Sequence, residues 1–362
     1  MNKKYLALLL AGTIVFSACG KQNNNENTDQ GSQVSTSDTT SDTTSDTKAE
    51  TKKENSKKLV YTSFYPIYDL TKQIAGDKMD VENLGSLETE AHDWEASAKD
   101  LANLNEANLL IINGAGMESW KDSVSGSSDV EILDTTKGLD LIKADADDHD
   151  HEDEHEEDLD DHEDKKDEDQ DDHEDQDHEE DHDHEHNGEF DPHTWISPVM
   201  GKEQAKVISD KLSEIDPDNK DYYKANYEKI AKELDSLVSE YKKKFESKKS
   251  NEFVVPHEAF AYLCRDFDLE QIPLTGITST KEPDAKTMQE VTDKVKKENI
   301  NTIFYERGGS DKAAQAIANE ISGSAKPLAT LEFASKEDLK NEVHYQDLIK
   351  ENLEAIYQSL EK

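Results

Sequence analysis

Cysteine is almost missing from this sequence; Cys19 and Cys264 are the only two. Cys19 ends a leader-like stretch, so no disulfide framework is available, and Cys264 in Ala261-Tyr-Leu-Cys264 reads as a small buried hydrophobe. Long apolar runs are missing too. The stretch from Tyr5 to Phe16 is too short to span a bilayer comfortably. There is no His-Glu-x-x-His helix: the two matches to that spacing, at 151–155 and 178–182, both lie inside the acidic tract, which removes the helix-borne zinc-protease pattern. Finally, residues 144–189 hold almost no apolar side chain except Leu159, so this tract cannot bury enough surface to offset the entropy of ordering it.

What that tract does hold is acid and imidazole. It contains 28 Asp and Glu, two Lys and nine of the 13 histidines, and so carries −26 of the formal net charge of −43. The histidines are His149, His151, His155, His162, His173, His178, His182, His184 and His186. A plain acidic spacer needs no imidazole. Neutral imidazoles among carboxylates that concentrate cations are the composition of an auxiliary transition-metal capture segment. With so negative a chain no nucleic-acid partner is expected.

The first residues bear on compartment. Lys3 and Lys4 precede the apolar stretch, small residues Ser17-Ala18 follow it, and Phe16-Ser-Ala-Cys19 resembles a bacterial lipobox with Phe where Leu is more usual. The expectation is a signal peptide over 1–18 and lipidation at Cys19. Ordinary cleavage beside an incidental cysteine is the alternative. Residues 19–57 then form a polar, Ser/Thr/Asp-repeating tether. The folded part is thus expected on the extracellular face of the bacterial cell membrane, held there by its lipid anchor.

Beyond the tether, strand-like and helix-like runs alternate. Lys58–Phe64, Met79–Leu84, Ala107–Gly114 and Val130–Leu133 read as strands, with helices from Pro66 to Ile74 and from Ala96 to Leu104. Helical patterns over 202–215 and 220–248 follow, the second long enough to link two lobes as a strut. The alternation then resumes: strands at 252–256, 271–276, 301–306 and 326–332, and helices at 259–264, 284–298, 311–321 and 343–360. The expected fold is α/β: two lobes, each a parallel sheet flanked by helices, joined by one long rigid helix. The boundaries are an N-terminal lobe over 58–216 that includes the acidic tract 144–189, a connecting helix over 217–248 and a C-terminal lobe over 249–362.

Four histidines lie outside the tract: His92, His193, His257 and His344. The first three each sit just beyond an apolar or strand-like segment beside an aromatic residue, as in His92-Asp-Trp94, His193-Thr-Trp195 and His257-Glu-Ala-Phe260. Ligands of open α/β sheets bind beyond the carboxyl ends of the strands, where such residues can converge on one cation. His344, inside a polar terminal helix, reads as structural.

These segments carry a family resemblance. Phe64-Tyr-Pro-Ile-Tyr-Asp69, Glu90-Ala-His92-Asp-Trp-Glu95, Asp191-Pro-His193-Thr-Trp-Ile-Ser-Pro198 and His257-Glu-Ala-Phe-Ala-Tyr-Leu263, with Glu282-Pro283 downstream, resemble the zinc-binding solute-binding lipoproteins of bacterial metal ABC transporters. The resemblance implies a two-lobed, non-enzymatic protein that captures Zn²⁺ between its lobes and delivers it to a membrane permease, as a monomer. It implies His92, His193 and His257 as ligands and a carboxylate as the fourth: Glu332 by spacing, with Glu306 as the other candidate. Two prolines usual in the first motif are replaced by Ala91 and Ala96. Three imidazoles and a carboxylate suit tetrahedral Zn²⁺, whereas the manganese branch tends to have Glu at the third histidine. Cu²⁺ and Ni²⁺ are not excluded by the donor set. A manganese-binding homologue, a surface adhesin or metal buffer, and a secreted zinc hydrolase are the alternatives.

Overall fold

The computed structural model describes residues 57–92, 94–144, 189–277 and 282–361. The signal peptide, Cys19 and the nine tract histidines lie outside the described residues, as does nearly all of the tether.

The first lobe runs β1 (Leu59–Thr62), α1 (Tyr65–Ala75), β2 (Asp80–Asn83), α2 (Ala98–Leu104), β3 (Leu109–Ile112), α3 (Lys121–Ser127) and β4 (Ile132–Asp134), then a 3-10 turn (Thr194–Ile196) and α4 (Pro198–Ile215). A 26-residue helix, α5 (Lys220–Phe245), follows. The second lobe runs β5 (Glu252–Val255), α6 (Ala261–Phe267), β6 (Glu270–Pro273), α7 (Ala285–Lys297), β7 (Thr302–Glu306), α8 (Lys312–Ile321), β8 (Ser324–Leu328), α9 (Lys336–Lys340) and α10 (Tyr345–Leu360).

Each lobe carries a four-stranded parallel sheet, in the orders β2-β1-β3-β4 and β6-β5-β7-β8. The two orders are the same topology repeated. In both, the chain winds first one way and then the other, which opens a crevice beyond the carboxyl ends of the first and third strands. β3, Leu-Leu-Ile-Ile, is buried at every position, as a central strand covered on both faces must be. Pro273 ends β6 at a sheet edge, where its missing N–H costs no ladder bond.

Local chemistry sets the helix starts. Ser97 with Asp100 and Ser335 with Asp338 form capping boxes, and Asp284 accepts the Thr287 N–H. α5 has no Gly or Pro and buries Tyr223, Ile230, Leu234, Leu237, Tyr241 and Phe245. Those steps of seven, four, three, four and four keep one stripe inward. The stripe packs on α1 and α4 of the first lobe and on α6 and α10 of the second, so a single stiff rod is shared by both.

Three details differ from the sequence expectations. The strand expected over 326–332 ends at Leu328; the chain then turns, and Leu331 takes a left-handed conformation at φ 62°. A leucine there is strained by about 1–2 kcal/mol, and the turn carries Glu332 off the strand. His344 is not inside the last helix but is its N-cap residue, with Nδ1 3.0 Å from Asp69 of α1. Helices α3 and α9 were not foreseen, being short and rich in polar residues.

Candidate metal centre

Four side chains from four separate segments meet between the sheets. His92 sits on the loop between β2 and α2, His193 immediately before the 3-10 turn, His257 just past β5, and Glu332 past β8. Their ligand atoms all lie within 4.8 Å of one another. His193 Nε2 is 3.2 Å from His92 Nε2 and 3.4 Å from His257 Nε2. The Glu332 carboxylate lies 3.1 Å from His257 Nε2, 3.6 Å from His92 Nε2 and 3.7 Å from His193 Nε2. With metal–nitrogen bonds of about 2.0–2.1 Å, the edges of a tetrahedron are about 3.3–3.4 Å. Three lone-pair nitrogens and a carboxylate oxygen at this spacing outline a four-coordinate cation site.

The site is dry. The His193 and Glu332 side chains are fully buried, and those of His92 and His257 keep only a tenth of their surface. Burial holds all three imidazoles neutral. It pushes His92 down to about 3, with the neighbouring His193 and His257 adding to the effect. It lowers His257, and it lowers His193 against the opposing pull of Asp191. Neutral imidazole is the form that binds a metal.

Several partners fix the ligands. Asp191 Oδ1 accepts from the His193 backbone N–H at 2.9 Å and faces His193 Nδ1 at 2.8 Å. Beside that carboxylate Nδ1 carries the ring proton, leaving the Nε2 lone pair aimed inward. Asn113, just past β3, clamps the same turn: its amide donates to Pro192 O at 2.9 Å, and its carbonyl accepts from Thr194 Oγ1 at 2.9 Å and Gln204 Nε2 at 2.8 Å. Across the lobes, Trp195 Nε1 donates to Thr330 O at 2.7 Å and Tyr345 OH donates to Trp195 O at 2.6 Å. The turns bearing His193 and Glu332 are therefore stitched together.

Two further carboxyls face the centre. Glu90, two residues before His92, is pushed up to about 9 by burial and by its hydrogen bond to, and the charge of, Glu332. Glu306 ends β7, accepts from Thr330 Oγ1 at 2.5 Å, and is raised by burial and the charge of Glu90. Between the two sequence candidates for a fourth ligand, the structure brings Glu332 into the cluster and leaves Glu306 bonded to Thr330. Neither Glu90 nor Asn113 was singled out from the sequence. The motif around His92 was the only signal for Glu90, and Asn113 carried none, since its partners lie 79 to 91 residues away.

The acidic tract departs from and returns to this centre. Its two stems pair at Lys143 and Phe190, and Asp191 N donates to Ile142 O at 2.9 Å. Buried Tyr262 of α6 accepts from Ile142 N at 3.0 Å and donates to Asp191 O at 2.8 Å. The tract's root is thus bonded to the residue that orients His193.

Comparison with known proteins agrees with this architecture. Residues 60–359 match the family described as "Zinc-uptake complex component A periplasmic" (ZnuA). The chain is 35% identical over 304 residues to the high-affinity zinc uptake system protein ZnuA of Bacillus subtilis, covering 83% of this chain and 87% of that protein. It is 32% identical over 309 residues to the zinc-binding lipoprotein AdcA of Streptococcus pneumoniae, covering 84% of this chain and 56% of that longer protein. The crystal structure of the Zn(II)-bound ZnuA-like domain of pneumococcal AdcA superposes with a TM-score of 0.66 at 29% identity, covering 85% of this chain and 100% of that domain.

Proposed function

The chain belongs to the ZnuA family of zinc-uptake solute-binding proteins of metal ABC transporters, and on that premise we propose that His92, His193, His257 and Glu332 together hold one Zn²⁺ as cargo. Zinc is what the protein carries, not a cofactor, and the family is one of non-enzymatic transport proteins. The observation that carries the assignment is the set of contacts from 3.1 to 3.7 Å among the four ligands. Three nitrogens and one carboxylate suit tetrahedral Zn²⁺ better than the oxygen-rich shells preferred by Mn²⁺ or Ca²⁺. A fourth protein ligand also fills the position that a zinc hydrolase keeps for water.

In this reading Cys19 carries a lipid after removal of residues 1–18, and residues 19–57 tether the folded part to the extracellular face of the membrane. The N-terminal lobe (58–216) and C-terminal lobe (249–362), linked through the helix of 217–248, capture the ion. A membrane permease then receives it from the monomer. The nine tract histidines raise the local concentration of zinc beside the crevice.

Complementation tests this. A strain lacking the chain should regain growth on zinc-chelated medium with the wild-type gene and fail with His193→Ala. Equal rescue by both would contradict the assignment.

A further inference from the structure

A cavity of about 130 Å³ has the ligand His257 in its wall. Among the described residues its walls come from the C-terminal lobe, and His92, His193 and Glu332 take no part in them. It lies beyond β5 and β7, between Pro256-His257 and Tyr305-Glu306, which is the point where the winding of the second sheet reverses. Ligands of open α/β sheets bind in that crevice. Thr275, Glu282, Tyr305, Glu306 and Ser310 give it an oxygen-rich lining, and Ala313 and Ala314 at the start of α8 keep one wall small.

Of the four ligands only His92 and His257 are reached by solvent, and the surface of His257 is part of this cavity. A water needs roughly 10–15 Å³ of such space, so the cavity has room for several. That is enough for a cation that still keeps part of its hydration shell. Glu282 and Glu306 oppose the partial positive charge at the N-terminus of α8 and make the space favourable for a cation.

We infer that this cavity is a vestibule in which a partly hydrated divalent cation waits on oxygen ligands before exchanging onto His257. The inference rests on the assignment of the four-ligand centre. It adds a route: zinc reaches and leaves the centre through the C-terminal lobe without separation of the two lobes. The Trp195–Thr330 and Tyr345–Trp195 hydrogen bonds that stitch the lobes beside the centre then stay closed during exchange.

The test uses the full-length protein and two variants on the vestibule wall, Glu282→Gln, which removes a charge, and Ser310→Trp, which fills the exposed mouth. Stopped-flow mixing with zinc, and of the zinc complex with excess chelator, gives association and dissociation rates. Equilibrium titration gives stoichiometry and affinity. The vestibule predicts that both variants slow association and dissociation together, by about three-fold or more, with one tight zinc and an unchanged dissociation constant. Unchanged rates in both variants would overturn it. So would a loss of affinity confined to faster dissociation, because Glu282 would then belong to the centre and not to its approach. Absence of the tight site in the wild-type protein would instead refute the four-ligand centre itself, so the two failures are distinguishable.

Discussion

Asp191 Oδ1 is shared by two hydrogen bonds to one residue, the backbone N–H of His193 at 2.9 Å and its Nδ1 at 2.8 Å. The side chain two residues upstream thus fixes the path of the turn and the tautomer of the ligand in one interaction. Proline between them restricts the backbone that makes this possible. Because Tyr262 also bonds the Asp191 carbonyl, the orienting residue is itself held by the second lobe.

Replacing Asp191 by Asn keeps the size but lets the amide present either an acceptor or a donor to Nδ1. Loss of a carboxylate partner behind a metal-bound histidine costs about 10–100-fold in affinity. Asp191→Asn should weaken zinc binding by that factor in competition with a chromophoric chelator, while the thermal midpoint of the apo protein moves little. Wild-type affinity in this variant would remove Asp191 from the account.

Proton competition separates the centre from the tract. His92 is held near 3 by burial, below the ordinary value of about 6.5. From pH 7 to 5.5 His92 therefore stays neutral, and burial lowers His193 and His257 in the same direction, whereas the tract histidines are expected to take up protons and lose metal. The tight site should keep its occupancy across this interval as the weaker sites empty. The same depressed value has a stability consequence. The unfolded chain binds the proton that folded His92 refuses, so the contribution of His92 to apo stability is lost as pH falls below about 6.5 toward 3, opposite in sign to that of Glu90. An apo melting temperature that falls no more on acidification in the wild type than in His92→Gln would contradict the sign.

Deletion of residues 146–187 should remove several weak zinc sites and leave one tight one. From composition alone, tract ligands are expected to carry an ordering cost at each binding event, which lowers their affinity, whereas the cleft ligands are held in place. Calorimetry of the deletion variant reads this directly. Loss of the tight event would place the principal site in the tract.

Much of this was legible in the sequence, for identifiable reasons. The alternation of β-rich and helical runs specified both sheets, because buried parallel strands are apolar at nearly every position, as in Leu109–Ile112. Three histidines stood out by their place after strand-like segments. Glu332 was harder, since the run from Lys326 reads as continuous strand; only the left-handed turn at Leu331, imposed by packing, brings the carboxylate round. The roles of Asn113, Glu90 and His344 depend on partners distant in the chain, and no local pattern encodes those. His344 reads as a helix residue until Asp69, 275 positions away, is seen to hold it at the N-cap.

The most direct measurement of the central claim is anomalous diffraction at the zinc edge from crystals of the zinc-loaded protein. The account predicts one dominant peak between the lobes, about 2.0–2.1 Å from each Nε2 of His92, His193 and His257, with a Glu332 oxygen completing the tetrahedron. A dominant peak that leaves any of those three imidazoles unbound, or that lies outside the crevice, would contradict it.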